Sequence, residues 1–232
     1  MKIFINNPKF TLIQFPLIAI IVFVSFLTIA SQLYSGGTEV NPETVGYIFT
    51  ENYISDLGRI TTHSGESNLY PFLIFIMVFT VMTFSLFTYF YGNYSFFKNK
   101  FDFGGNMFKL GTFFGMCFSL CFLGISLTPA DINLKDHILF AEYLFRFLFG
   151  SSLLLFLSFY KMDQSTRLLS FGYLLLSIAT GMYIGLSDFE LNSILFSNNY
   201  LAEVITQKLI TMTLLTGFII LGTFNNRILK EK

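Results

Sequence analysis

Six long apolar runs, separated by short polar segments, dominate the chain. They cover approximately residues 11–34, 70–91, 108–127, 137–160, 168–187 and 201–225. An α-helix rises about 1.5 Å per residue, so each run is long enough to cross the roughly 30 Å of hydrocarbon in a bilayer. The pattern therefore predicts an all-α integral membrane protein: a six-transmembrane-helix bundle that forms a single membrane domain over residues 1–232.

The longest connection, residues 35–69, follows the first run and is too long for a simple connector. Gly36 and Gly37 break the chain there, and the stretch VGYIFTENYISDLGRI mixes apolar and polar residues. This alternation predicts a short interfacial helix or a cap over the bundle. The loop 188–200 is a second candidate lid.

The composition excludes a soluble domain. The chain is 53% hydrophobic and 12% charged, with a mean hydropathy of +0.64, whereas a soluble domain is about 25% charged. The formal net charge is zero. We expect membrane lipid as the partner, no nucleic-acid partner and no cofactor.

Lysine and arginine are unevenly divided between the two sets of loops. One set, which includes both termini, carries ten of them, and the opposite set carries only Arg59 and Lys135. Because basic loops stay in the cytoplasm, both termini are predicted to be cytoplasmic, in a prokaryotic plasma membrane. The ten are Lys2, Lys9, Lys98, Lys100, Lys109, Lys161, Arg167, Arg227, Lys230 and Lys232.

Two stripes of small residues predict close helix contacts. Gly111 and Gly115 form one in the third run, and Gly181 and Gly185 form another in the fifth. Small residues four apart let helix backbones approach closely. Packing within one bundle is the preferred interpretation, and a homo-oligomer through either face is the alternative.

Polar and ionisable residues lie inside two of the predicted spans. Glu142 and Arg146 are one helical turn apart in the fourth, and Gln207 and Lys208 lie in the sixth. A charge at such depth costs about 3 kcal/mol on insertion scales, so these residues are expected to be paired and functional. We predict that Arg146 and Lys208 face each other beneath the cap and bind a phosphate or carboxylate head group. The alternative is a self-neutralising polar cluster that fixes the helix register.

A second group of polar residues lies at the same end of the bundle. It comprises Ser55, Asp56 and Arg59 in the first outer loop, with Asp131 and His137 before and within the fourth run. His137 is about 140° around the helix from Glu142. We therefore expect it to meet the loops, with Asp131 or Asp56 as partner.

The same residues allow an alternative function, an intramembrane lipid-modifying enzyme. Ser55 would be the nucleophile, His137 the base, and Asp56 or Asp131 the orienting carboxylate. No nucleophile-elbow motif surrounds Ser55, and Ser55 and Asp56 also suit local backbone capping.

Metal binding is not expected. The chain has only two histidines, His63 and His137, and His63 in ITTHSGES is expected to be an exposed loop residue.

Three segments carry a family resemblance: NYISDLGR, GISLTPADINLKDHILFAEYLF and VITQKLI. They resemble the signatures of a bacterial and archaeal family of six-helix membrane proteins, domain of unknown function nine-nine-eight, which is related to the eukaryotic DRAM/Frag/Sfk proteins. The prokaryotic members have no settled activity, and the eukaryotic ones are linked to membrane lipid organisation and autophagy. After Gly58 this chain lacks the early proline of many relatives. The matched positions are Ser55, Asp56, Gly58, Asp131, His137 and Lys208.

Together these features predict an outward-facing polar pocket that recognises or positions a lipid head group or small amphiphile, rather than a catalytic centre. The enzyme is the first alternative. A small proton-coupled transporter using Glu142 and Lys208 is the second, although the chain shows no internal repeat.

Overall fold

A computed structural model describes residues 7–100, 105–162, 164–189 and 198–231. Six helices make up most of it: α1 Phe15–Leu33, α2 Leu69–Phe97, α3 Gly105–Leu127, α4 Leu134–Tyr160, α5 Gln164–Asp188 and α6 Asn199–Lys230. A short π-helix, Phe10–Gln14, leads into α1. All six are long and apolar enough to cross a membrane, and the described ranges contain isolated β-bridges but no strand. The predicted all-α, six-helix fold is confirmed.

The helices form a closed ring in which each packs on the next in sequence and α6 returns to α1. Thr11, just before α1, lies against Gly92 near the end of α2. Asn225, near the end of α6, donates a hydrogen bond of 3.5 Å to the Tyr89 hydroxyl of α2. Both described ends of the chain therefore lie at one end of the bundle, here called the terminal side. The opposite end is the cap side.

Aromatic rings fill the centre of the bundle. Phe218 of α6 lies 5.5 Å from Tyr89, 6.2 Å from Phe90 and 6.2 Å from Phe118, measured between ring centroids. These contacts join α2, α3 and α6. Within a bilayer such van der Waals packing, rather than exclusion of water, is what holds helices together.

The small-residue stripes serve packing inside the bundle. A Cβ added to Gly115 would lie 2.2 Å from the Phe90 ring, and one added to Gly111 would lie 3.1 Å from Leu155. At Gly181 the neighbour is Phe149, whereas nothing lies within 4 Å at Gly185. Close packing within the bundle is therefore observed at three of the four glycines. Self-association through these faces stays a prediction.

The loop between α1 and α2 folds over one end of the bundle. It contains a short 3-10 helix, Ile54–Gly58, where the sequence predicted one. Gly37 adopts a positive φ of 84°, and an added Cβ would lie 2.3 Å from the Ser64 backbone nitrogen. This close approach requires glycine. The second predicted lid, 188–200, lies almost entirely outside the described residues.

Candidate ligand cavity under the cap

Asp56 is the centre of the cap. It is only 4% exposed, and its carboxylate accepts hydrogen bonds from the Tyr53 backbone N–H (2.9 Å) and from Asn52 Nδ2 (3.1 Å). The Tyr53 bond caps the first turn of the 3-10 helix, which explains a carboxylate at this position. Its other oxygen lies 3.1 Å from His63 Nε2. The expectation that His63 is exposed is wrong, because its ring is hydrogen-bonded to the buried Asp56 carboxylate and is largely covered.

Two buried asparagines fix the cap backbone. Asn52 Nδ2 donates to the Gly37 carbonyl (2.9 Å), and Asn52 Oδ1 accepts from the Ile48 N–H (2.9 Å). Asn68 Nδ2 donates to the Arg59 carbonyl at 2.8 Å. Irregular backbone buried on a bundle must find such partners, because unpaired backbone groups are costly. The cap is consequently an ordered structure.

Side chains of the bundle hold the cap from two directions. Gln207 Oε1 of α6 accepts from the Ile54 N–H at 2.8 Å. Asp131, between α3 and α4, accepts from the Ile60 N–H (3.1 Å) and the Thr61 N–H (2.8 Å). Asp131 therefore binds cap backbone, and its predicted pairing with His137 is wrong.

His137 is bound by the turn that precedes its own helix. The side chain is buried, with 6% exposed, and Nδ1 donates to the Thr128 carbonyl at 2.7 Å. A carbonyl oxygen can only accept, which fixes the proton on Nδ1. Neither Asp56 nor Asp131 is its hydrogen-bond partner, so the predicted pairing with a carboxylate is wrong. Within the described residues no hydrogen bond joins His137 to Ser55 either, so the Ser–His–Asp arrangement is not assembled.

Glu142 and Arg146 form the predicted pair across one turn of α4, at 3.3 Å. Arg146 also binds both carboxylate oxygens of Asp188, at 3.0 and 3.1 Å. The sequence placed Asp188 in a loop, whereas it is the last residue of α5. This guanidinium is therefore shared between two carboxylates.

Lys208 faces a different part of the molecule. It is 5% exposed, donates to the Asn52 carbonyl and lies 5.0 Å from the Phe49 ring centroid. It lines a separate cavity of about 150 Å³, bounded mainly by α1, α6 and the cap. The predicted shared cavity of Arg146 and Lys208 is therefore wrong. Consecutive helical residues point about 100° apart, which lets Gln207 and Lys208 line different cavities.

A cavity of about 370 Å³ lies directly under the cap and is bounded by α4, α5 and α6. We call it the polar chamber. Seven of the nine predicted site residues line it, and Asp131 and Lys208 do not. The seven are Ser55, Asp56, Arg59, His137, Glu142, Arg146 and Gln207. Polar residues of its wall that the sequence did not predict include Glu39, Tyr53, His63 and Asp188, because residues in or next to loops give no signal of where they fold.

A second cavity of about 110 Å³ lies deeper between the helices. We call it the apolar chamber, because phenylalanine and leucine side chains such as Phe79, Leu144 and Phe218 form most of its wall. The two chambers share six wall residues: Ser55, His137, Ala141, Phe145, Tyr183 and Gln207. A polar compartment and an apolar one therefore adjoin at the same side chains.

Cap tyrosines keep their protons well above neutral pH. Burial, followed by the charge of Glu203, raises the pKa of Tyr53, whose hydroxyl donates to Glu203 Oε2 at 3.1 Å. Burial, followed by the charge of Asp56, raises the pKa of Tyr34 to about 12. Both hydroxyls are therefore neutral donors, Tyr53 to the Glu203 carboxylate and Tyr34 to the Gly37 carbonyl at 3.3 Å.

The fold is that of a six-helix membrane protein, with a polar cavity and an apolar cavity side by side beneath its cap. No family model matches the chain, and no curated protein or solved structure is significantly similar to it. Within the described residues no three His, Cys, Asp or Glu side chains come together as a metal site. The resemblance of the three sequence motifs therefore stays a prediction.

Proposed function

We propose that the protein binds a single-chain amphiphile without chemically altering it. The polar end of the ligand occupies the polar chamber, and its hydrocarbon tail enters the apolar chamber. The observation that carries this proposal is the set of six residues common to both walls. A cavity that changes from polar to apolar along its length matches a molecule that does the same.

The energetics favour a tail over a purely polar solute. Each buried methylene contributes about 0.8 kcal/mol, and no polar solute would recover that energy from the apolar chamber. The resemblance to proteins linked to lipid organisation agrees with this choice of ligand. We further propose that the chamber faces outward from a prokaryotic plasma membrane.

The contacts at the cap support binding over hydrolysis. Asp56 is engaged by His63, and Asp131 is engaged by backbone N–H groups of the cap. Neither carboxylate is positioned to orient His137 as a general base. Their hydrogen bonds instead maintain the roof of the cavity.

The test is to fill the apolar chamber. Leu144→Trp places a large ring in its wall, whereas Leu153→Trp makes the same change at an exposed site on the same helix. Native mass spectrometry of the purified protein with a dodecanoyl monoacylglycerol measures binding. We expect Leu144→Trp to weaken binding about tenfold or more, because the tail loses its space, and Leu153→Trp to have no effect.

Ala141→Met is a second variant, to be used if Leu144→Trp does not fold. Ala141 lines both chambers, so the larger side chain narrows their junction. We expect Ala141→Met to weaken binding of the amphiphile, as Leu144→Trp does. Equal binding by the wild type and all folded variants, or no binding by the wild type, would overturn the proposal.

A further inference from the structure

The charges around the polar chamber have a clear sign. Its wall carries five carboxylates against two guanidiniums, with His63 beside one of the carboxylates. The carboxylates are Glu39, Asp56, Glu142, Asp188 and Glu203, and the guanidiniums are Arg59 and Arg146. Low-dielectric walls of one sign focus the field inside a cleft and repel ions of that sign.

One of the two arginines of the wall is already engaged by carboxylates. Arg146 lies 3.3 Å from Glu142 and 3.0 Å from Asp188. An incoming phosphate would have to compete with both carboxylates.

Glu203 has no such counter-ion. Its oxygens accept from the Tyr53 hydroxyl (3.1 Å) and from Asn199 Nδ2 (2.9 Å), both of which are neutral donors. No basic side chain of the described residues forms an ion pair with it. Among the described residues this exposed carboxylate on the chamber wall is therefore held by neutral donors only.

Aromatic faces lie where the two chambers meet. The rings of Phe145 and Tyr183 are 4.2 Å apart between centroids, and both residues line both chambers. An ammonium group near an aromatic face gains about 0.5–2 kcal/mol. The junction therefore suits the point where a cationic head group is attached to its tail.

We infer that the head group of the bound amphiphile is cationic, an alkylammonium rather than a phosphate or carboxylate. This inference rests on the proposed function, because it assigns the chemistry of the ligand in the same cavity. It also replaces the anionic head group that the sequence predicted. Glu203 provides the charge for recognition, and the aromatic pair provides the neighbouring surface.

The experiment compares three probes with the same twelve-carbon chain: dodecylammonium, dodecyl phosphate and the neutral dodecanoyl monoacylglycerol. Each is titrated against wild type, Glu203→Gln and Glu43→Gln by native mass spectrometry. Glu43 is an exposed carboxylate of the same cap that does not line the polar chamber, so its variant controls for overall charge.

We expect wild type to bind dodecylammonium at least tenfold more tightly than dodecyl phosphate. Glu203→Gln should lower the affinity for dodecylammonium about tenfold and leave the affinity for the neutral probe unchanged. Glu43→Gln should change neither affinity. Ethylammonium should bind at least a hundredfold more weakly than dodecylammonium, because each missing methylene removes about 0.8 kcal/mol.

Tighter binding of dodecyl phosphate, or equal loss of ammonium binding in both glutamine variants, would overturn the cationic assignment while the amphiphile proposal stands. Absence of binding for all three probes would overturn the amphiphile proposal itself. The two failures are therefore distinguishable.

Discussion

At the scale of single residues, the site depends on which face of a helix each polar side chain occupies. Gln207 and Lys208 are neighbours in sequence, yet Gln207 lines the polar chamber and Lys208 lines the separate cavity beside α1. Both bind the same strip of cap backbone, at Ile54 and Asn52 respectively. Lys208 is therefore a structural support for the cap rather than a ligand-binding residue.

Replacing Lys208 tests this assignment. Lys208→Met removes the donor to the buried Asn52 carbonyl, and we expect a loss of about 1–3 kcal/mol of stability with no change in amphiphile affinity. Thermal unfolding in detergent measures the first and native mass spectrometry the second. Lys135→Met, at an exposed position in the first turn of α4, is the matched control.

A stable Lys208→Met protein that no longer binds amphiphile would contradict the assignment. It would place the lysine in the ligand site, as the sequence suggested.

At the scale of secondary-structure elements, apolarity predicted the spans well and their ends poorly. The second run was predicted to end near residue 91, yet α2 continues to Phe97, and α6 continues from a predicted 225 to Lys230. Helical hydrogen bonds continue through tyrosine, asparagine and lysine beyond the hydrocarbon, where hydropathy gives no signal. Helix faces were equally hard to predict, because spans surrounded by lipid and protein are apolar on every side.

Residue spacing predicted the contact between Glu142 and Arg146, because both lie on one helix. It could not predict contacts between distant segments. Asp56 with His63 and Arg146 with Asp188 depend on how the cap and the helix ends fold together. Tertiary structure alone brings those pairs together.

The glycines of α3 and α5 allow a test of helix packing. Gly115→Ala would drive a methyl group into the buried Phe90 ring, so we expect a loss of about 1–3 kcal/mol from overpacking. A Cβ added at Gly185 would have no neighbour within 4 Å. Gly185→Ala is therefore expected to gain about 0.5–1 kcal/mol of stability from the higher helix propensity of alanine. Thermal unfolding of the two variants in one detergent measures the difference.

Equal losses in the two glycine variants would show that the Phe90 contact does not govern the stability of these positions. A change of oligomeric state confined to Gly185→Ala would identify that exposed face as the self-association surface.

At the scale of the whole molecule, function depends on which side of the membrane the cap faces. In the sequence, ten lysines and arginines belong to the set of loops that includes the termini, and two belong to the opposite set. This asymmetry predicts a cytoplasmic terminal side. The polar chamber would then receive its ligand from the outer leaflet.

Cysteine labelling in intact bacterial cells measures this orientation. With Cys117 and Cys121 replaced by alanine, Glu43→Cys introduces a single thiol in the cap, and Lys161→Cys introduces one in the loop between α4 and α5. A membrane-impermeant maleimide is expected to label the cap variant in intact cells and the loop variant only after permeabilisation. The opposite pattern would mean that the negatively charged chamber opens to the cytoplasm. A cationic amphiphile would then be taken from the inner leaflet, where anionic lipids already concentrate cations.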